Sequence, residues 1–182
     1  MKGPARVFIF SDGIRGHLNQ SRGITLWLSR IAGAEVIELE VPRLTGARRA
    51  LALKIRAKNL VSKAPGSAGR WLEQAGGIHL AERVSAAARG EKEDPSSFLC
   101  LSAGSTAGPY GLALARLLGG RAATVMSPSI LGTAPFDYAI VPAHDFPPPA
   151  ENVFVTMGAP NAIDTERLAI EKDFRMFSRK FR

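Results

Sequence analysis

The chain has 182 residues, of which 46% are hydrophobic and 22% charged. This composition is typical of a globular protein, and the length suits one domain and is short for two. The single cysteine, Cys100, excludes an internal disulfide framework, and its apolar neighbours predict a buried, inert thiol. No segment approaches the roughly 20 apolar residues of a membrane span, and no signal peptide is recognisable, so we expect a cytoplasmic protein.

The formal net charge of +8 is unevenly distributed. The stretch from Pro42 through Leu72 contains no acidic residue but eight basic ones. Such a block indicates an anionic partner, such as phospholipid headgroups or a phosphorylated substrate. No nucleic-acid motif accompanies it and aromatic residues make up only 7%, so nucleic acid is not the expected partner. The three histidines are scattered without a Cys/His cluster, and no metal site is predicted.

Short apolar runs alternate with helix-like segments. Strands are predicted at Ala5–Phe10, Glu35–Leu39, Ser97–Leu101, Ala122–Met126, Tyr138–Val141 and Val153–Thr156. Helices are predicted at His17–Ile31, Ala47–Val61, Gly69–Gln74, Ile78–Ala88, Ser105–Leu118 and Asp164–Phe177. Several strands are apolar at consecutive positions, which is typical of a sheet covered on both faces. The pattern predicts an α/β fold: a Rossmann-like three-layer α/β/α domain with a mainly parallel sheet.

Two segments are predicted to be irregular and one to be a terminal helix. Residues 64–69 are interpreted as a flexible connector between helices, and residues 90–97 as a surface loop. In the last helix Phe174, Phe177 and Phe181 share one face, which needs cover from this domain or from a partner. We therefore divide the chain into a domain over residues 1–163 and a terminal helix or linker over residues 164–182.

The loop after the first predicted strand holds the highest density of reactive groups. Its glycines allow a sharp turn and close approach of a ligand, and the following helix offers unpaired N–H groups to an anion. The candidate residues here are Asp12, Gly13, Gly16, His17, Asn19 and Gln20. The alternative is a plain strand-to-helix turn in which Asp12 or Asn19 only caps the helix.

Other loops are expected beside it, because the carboxyl ends of parallel strands meet at one edge of the sheet. The segment with Ser102, Gly104, Ser105 and Thr106 suits a phosphate, a carboxylate or a sugar hydroxyl, although it could equally be a helix cap. His17 and His144 are candidate general bases, against the alternative that each only hydrogen-bonds within its loop. The triphosphate-binding loop and the dinucleotide fingerprint are both missing, which argues against those two classes.

The predicted helix over 47–61 is strongly basic. It is either a solvated helix whose long side chains cover the core, or a surface that docks on an anionic membrane. Its candidate anion-binding residues are Arg48, Arg49, Lys54, Arg56 and Lys58.

Four motifs occur in a fixed order, and together they resemble a known family. They are Asp12-Gly13-x-x-Gly16-His17-x-Asn19-Gln20-Ser21, Ser102-Ala103-Gly104-x-Thr106-Ala107, Val141-Pro142-x-His144-Asp145 and Val155-Thr156-x-Gly158-Ala159. The chain resembles the amino-terminal half of the mitochondrial fission "elongated mitochondria" family. That family is similar to the two-Rossmann-domain (GT-B) glycosyltransferases, and the resemblance covers nearly the whole chain.

The resemblance implies the acceptor-binding half of a glycosyltransferase-like protein acting in cell-envelope sugar transfer. His17 is then the base with Asp12 as its neighbour, and Ser102, Gly104, Thr106 and His144 line the cleft. No cofactor is implied. The co-substrate is a nucleotide sugar, the acceptor is a sugar that can be lipid-linked, and a second Rossmann-like domain or subunit holds the donor. Without that domain we expect the chain to be inactive.

Two other functions stay open at this point. A non-catalytic adaptor would bind a partner protein, or the inner face of a membrane, through the basic helix and the aromatic terminal helix. A third reading is a domain that binds sugar nucleotides on its own.

Overall fold

The computed structural model describes residues 3–61, 65–88 and 98–163. The strands are Arg6–Ser11 (β1), Glu35–Glu40 (β2), Phe98–Ala103 (β3), Arg121–Val125 (β4), Tyr138–Pro142 (β5) and Val153–Thr156 (β6). The α-helices in these ranges are Arg15–Ala32 (α1), Ala47–Ala57 (α2), Pro65–Ala75 (α3), Ile78–Ala88 (α4) and Gly104–Leu118 (α5).

The six strands form one parallel sheet in the order β2-β1-β3-β4-β5-β6. Arg6 of β1 pairs with Glu35 on one side and with Phe98 on the other. Strand β2 therefore lies on one side of β1, and β3, β4, β5 and β6 follow in chain order on its other side. The predicted Rossmann-like α/β fold is confirmed, and its point of reversal lies between β1 and β3.

The two faces of the sheet are covered unequally. Phe8 and Phe10 of β1 point to a large core that includes buried residues of α2, α3, α4 and α5. Val7 and Ile9, which alternate with them, point to a smaller core to which α1 contributes Leu18, Ile24 and Leu28. The prediction of helices on both faces is correct. One face, however, carries four of the described helices and the other carries only α1.

Helix α5 lies against the middle of the sheet because its sequence is rich in small residues. All six residues of β3 are buried; Phe98 and Cys100 belong to the core on the α5 side, and Leu99, Leu101 and Ala103 to the core on the α1 side. At Gly111 of α5, an added Cβ would lie only 3.2 Å from the hydroxyl oxygen of Ser102. Tyr110 is completely buried on the same helix, and its hydroxyl donates to the Ala75 carbonyl at 2.8 Å. Burial raises the pKa of this phenol to about 12, so it remains a neutral donor.

An ionic cluster fixes the far end of α5 to the loop before β5. Asp137 accepts from the Arg116 guanidinium at 3.0 Å and from the Ala122 N–H at 2.8 Å. Burial works to raise the pKa of Asp137. The Ala122 N–H and the nearby Arg116 and Arg121 guanidinium groups outweigh it and hold this pKa below the ordinary value. The cluster sets the position of α5 and hence of its amino terminus at the opposite sheet edge.

The structure corrects two sequence predictions. The segment over residues 65–69 is not a connector: α3 begins at Pro65, because proline is well tolerated in the first turn of a helix. The basic helix over 47–61 ends as an α-helix at Ala57 and continues as a 3-10 helix from Lys58 to Val61. The predicted loop at residues 90–97 and the predicted helix at residues 164–177 lie outside the described residues. Within the described ranges, no helix is both long and apolar enough to cross a membrane.

Candidate functional site

The candidate site lies where the sheet reverses direction, between the carboxyl ends of β1 and β3. Ligands of open α/β sheets bind at this kind of position, because the loops on either side diverge and leave a crevice. Helix α1 begins after β1, and α5 begins directly after β3. Neither residue before these helices, Ile14 or Ala103, makes a side-chain capping hydrogen bond. The first N–H groups of both helices are therefore not capped by the side chain of the preceding residue.

The loop between β1 and α1 is held by its own side chains. Gly13 has a φ of 81°, a left-handed conformation that glycine adopts without strain. The Ser11 hydroxyl accepts from the Gly13 N–H at 3.1 Å, and the Asp12 carboxylate accepts from the Ile14 N–H at the same distance. Asp12 thus does shape the turn, as the simpler alternative required, but this uses only one of its oxygens.

The other carboxylate oxygen of Asp12 lies 3.0 Å from Nδ1 of His17. The Asp12 side chain is only 4% exposed, whereas the His17 ring is 24% exposed. Because a carboxylate only accepts, the pair places the proton of a neutral imidazole on Nδ1. Nε2 is then the ring's acceptor, and no described residue hydrogen-bonds to it. An imidazole oriented by a buried carboxylate in this way can take a proton from a bound hydroxyl.

Gly104 makes room for the His17 ring. An added Cβ at Gly104 would lie 2.4 Å from Cε1 of His17 and 2.7 Å from Nδ1. Gly104 also has a φ of 79°, so both its missing side chain and its backbone conformation require glycine. A glycine at the first position of α5 therefore leaves the space in which the His17 ring lies beside Asp12.

The loop after β4 is attached to the start of α5. The Ser105 hydroxyl accepts from the Ser129 N–H at 2.9 Å and lies 2.8 Å from the Ser129 hydroxyl. In the same loop Met126 has a φ of 70°, which is rare for a residue with a side chain. Its N–H donates to the Ile140 carbonyl at 2.9 Å, which helps to hold it there. The rim of the crevice thus includes a constrained segment from β4.

The structure brings only part of the predicted site together. Asp12, His17 and Gly104 are in contact, and Ser105 and the half-buried Thr106 continue from Gly104 along α5. Ser102 is completely buried, and its hydroxyl donates to the Ala123 carbonyl, so it offers nothing to a ligand at the surface.

The other predicted residues lie around this group. Gly16 and Asn19 are exposed, and nothing lies within 4 Å of a Cβ added at Gly16. In Gln20, Oε1 is buried without a hydrogen-bond partner among the described residues. His144 follows β5, three strands away from β1, which is about 14 Å across a sheet. Its side chain is 65% exposed and lies 3.7 Å from Asp145, so His144 is at the same edge but apart from the dyad.

Arg43 belongs near the site, although sequence motifs alone did not place it there. A Cβ at Gly13 would lie 3.5 Å from a guanidinium nitrogen of Arg43, and the residue is exposed. The available signal was its position just after the predicted second strand, which is the neighbour of β1. A carboxylate oxygen of Glu40 lies 3.6 Å from the same point, so Arg43 and Glu40 place one positive and one negative charge beside the Asp12 loop.

The residues of the basic helix divide into two groups. Arg49 donates to the Gln74 carbonyl and Arg56 to the Gln74 side chain, both at 2.9 Å, so these two cations attach α2 to α3. Arg48 and Lys58 are exposed, and Lys54 is half-buried. None of these three forms an ion pair or hydrogen bond with another described residue.

The described part of the chain shows no metal-binding arrangement. Among residues 3–61, 65–88 and 98–163, no group of histidine, cysteine and acidic side chains could hold a metal ion. Cys100 is fully buried in β3, and burial raises the pKa of its thiol far above the ordinary value, as the sequence predicted. The available chemistry is thus one oriented imidazole beside two uncapped helix amino termini.

The fold and the position of the candidate site define the class of protein. It is a Rossmann-like α/β domain with its candidate site at the switch point of the sheet, between β1 and β3. The sequence model of the family described as Mitochondrial fission ELM1 matches residues 15–179. That range is most of the chain, and the chain belongs to this family, as the four ordered motifs indicated. Neither the curated proteins nor the solved structures provide a significant match.

Proposed function

We propose that this chain is the acceptor-binding half of a glycosyltransferase-like protein, with His17 as the general base. The observation that carries the proposal is the hydrogen bond between Asp12 and His17 at the switch point. In the proposed reaction, Nε2 of His17 takes the proton of an acceptor hydroxyl as its oxygen attacks the anomeric carbon. The bond from that carbon to the leaving nucleotide breaks, and the diphosphate leaves with the electron pair.

The surroundings of the dyad support a negatively charged leaving group. The amino termini of α1 and α5 carry partial positive charge and have no acidic residue in their first turns. The Arg43 guanidinium also lies beside Gly13, where the nearby Glu40 carboxylate offsets part of its charge. Oriented N–H groups and a guanidinium can stabilise a departing phosphate, which a metal ion does in other enzymes.

A second Rossmann-like domain or subunit is part of this proposal, as the partner that holds the donor. Apolar side chains at and after the edge strand β6 support such a contact. Phe154 is 52% exposed, Val155 is 60% exposed and Met157 is fully exposed. Large exposed apolar patches on soluble proteins commonly mark interaction sites.

Binding is the first test, because it requires only the chain itself. Nuclear magnetic resonance spectra of the full chain are recorded while nucleotide sugars and sugar acceptors are added from a panel. We expect acceptors to shift the amide signals of residues 12–17 and 104–106. The proposal fails if no member of the panel shifts these signals, or if all shifts lie elsewhere.

The role of the dyad is tested by measuring the rate of sugar transfer in a preparation of this protein that shows the activity. His17→Ala should reduce the rate at least 100-fold, which is the contribution typical of a general base. Asp12→Asn should also reduce it, since the amide would favour the wrong tautomer of His17. His79→Ala is the matched control, because His79 is exposed on α4. An undiminished rate with His17→Ala would show that the base is another group.

A further inference from the structure

The outward face of α2 has an apolar centre. Leu51 and Ile55, one helical turn apart, are each 52% exposed. The same helix buries Leu53 and Ala57 on its opposite face, and these residues are its contribution to the core of the domain. Among the residues that the structure describes, Leu51 and Ile55 are therefore apolar surface outside the core.

Cations border this apolar centre. On a helical projection Arg48 lies on one side of Leu51 and Ile55, while Lys54 and Lys58 lie on the other. No acidic residue occurs from Pro42 through Leu72, so no carboxylate of the helix or its flanks neutralises them. We call Leu51, Ile55, Arg48, Lys54 and Lys58 the α2 face.

We propose that the α2 face docks the protein on an anionic phospholipid surface. An apolar strip with cations along both sides is the pattern of a helix lying in the membrane interface. The strip enters the acyl boundary while the long basic side chains reach the headgroups. Each basic residue near such a surface contributes about 1 kcal/mol, which corresponds to a roughly fivefold change in partitioning.

A nucleic acid fits this face less well. Protein surfaces that bind nucleic acids place cations against the phosphates and, for single strands, aromatic side chains against the bases. The centre of the α2 face is aliphatic instead, and its residues have no ring on which a base could stack. The exposed Leu51 and Ile55 thus distinguish the two anionic partners.

Docking in this way would bring the candidate site close to the lipid. Helix α2 begins at Ala47, shortly after Arg43, and Arg43 lies beside Gly13 of the Asp12 loop. The amino terminus of α2 is thus at the same sheet edge as His17. This location suits a lipid-linked acceptor, but the docking itself does not depend on any transfer reaction.

Vesicle flotation with the full chain tests the proposal. We expect binding to vesicles of phosphatidylcholine with 30% phosphatidylglycerol, weak binding to pure phosphatidylcholine, and release at high salt. The double variant Arg48→Glu/Lys58→Glu should bind at least 25-fold more weakly. Leu51→Ser/Ile55→Ser should bind roughly tenfold more weakly at unchanged charge.

Matched controls keep the test specific. Arg30→Glu/Arg83→Glu makes the same charge change at exposed residues of α1 and α4, and Ile31→Ser removes an apolar side chain that is 80% exposed on α1. Both should bind like the original chain, and thermal melting should confirm that every variant is folded. Equal binding to neutral vesicles, full binding by either α2 variant, or a preference for oligonucleotides over anionic vesicles would each overturn the proposal.

Discussion

The imidazole of His17 lies against the α-carbon of Gly104. The first residue of α5 thus contacts the reactive side chain in the first turn of α1. A Cβ on Gly104 would stand 2.4 Å from Cε1 of the ring, closer than any van der Waals contact allows. The contact joins the two halves of the sheet, because His17 follows β1 and Gly104 follows β3. The orientation of the ring therefore depends on Gly104 as well as on Asp12.

The first prediction concerns this contact. Gly104→Ala should lower the free energy of unfolding by about 3 kcal/mol, because it combines a forced left-handed conformation with overlap on the His17 ring. Chemical denaturation measures the loss, and the His17 ring signals should move. Gly16→Ala is the matched control, since it meets nothing within 4 Å in α1 and should change stability by less than about 1 kcal/mol. Equal behaviour of the two variants would contradict the close contact.

The second prediction concerns the segment after β6. A Cβ at Gly23 of α1 would lie 2.5 Å from the backbone nitrogen of Asn161, so this segment crosses α1 at that residue. Gly23→Ala should destabilise the protein by about 2 kcal/mol, although alanine ordinarily favours a helix. It should also speed protease cleavage near Asn161. Gly66→Ala in α3 has open space around it and serves as the reference for alanine in a helix.

The third prediction concerns acid stability. The folded pKa of Asp137 lies below the ordinary value of 3.8, so its charge stabilises the fold above that value. This contribution is lost as the pH falls through the folded pKa. Asp137→Asn should cost about 3 kcal/mol at neutral pH and flatten the dependence of unfolding on pH below about 4. Glu151→Gln, at an exposed residue without a described ion pair, should leave the curve unchanged.

The fourth prediction concerns the loop after β4. Ser105→Ala removes the acceptor of the Ser129 N–H and the partner of its hydroxyl. It should cost about 1 kcal/mol and increase amide exchange in residues 127–131, because the loop loses its attachment to α5. Ser67→Ala in α3 should leave exchange in this loop unaltered. Unchanged protection after Ser105→Ala would mean that Met126 and its neighbours fix the loop without the serine pair.

Most of the fold was predictable because the central strands β1, β3 and β4 are largely buried on both faces. Runs such as Val7–Phe10 are continuously apolar, and β6 has the predicted bounds Val153–Thr156. Helix ends were harder to place. Pro65 begins α3 within a glycine- and serine-rich stretch, where local composition favours a turn and packing of Trp71 and Leu72 favours a helix.

The site was only partly predictable. Asp12 and His17 are five residues apart, so their proximity followed from the local loop. The approach of Gly104 and the separation of His144 depend on strand order, which local sequence does not specify. Ser102 is buried because β3 extends to Ala103, beyond the predicted strand end at Leu101, and both faces of this central strand are covered.

The pairing of residue 6 with residue 98 has a consequence for synthesis on the ribosome. At roughly 5 to 20 residues per second, β1 and its loop precede β3 by on the order of ten seconds. During that interval β1 can pair with β2, but the neighbour on its other side does not yet exist. Asp12 and His17 are therefore made well before the glycine that supports them, and the crevice forms only when the later strand arrives.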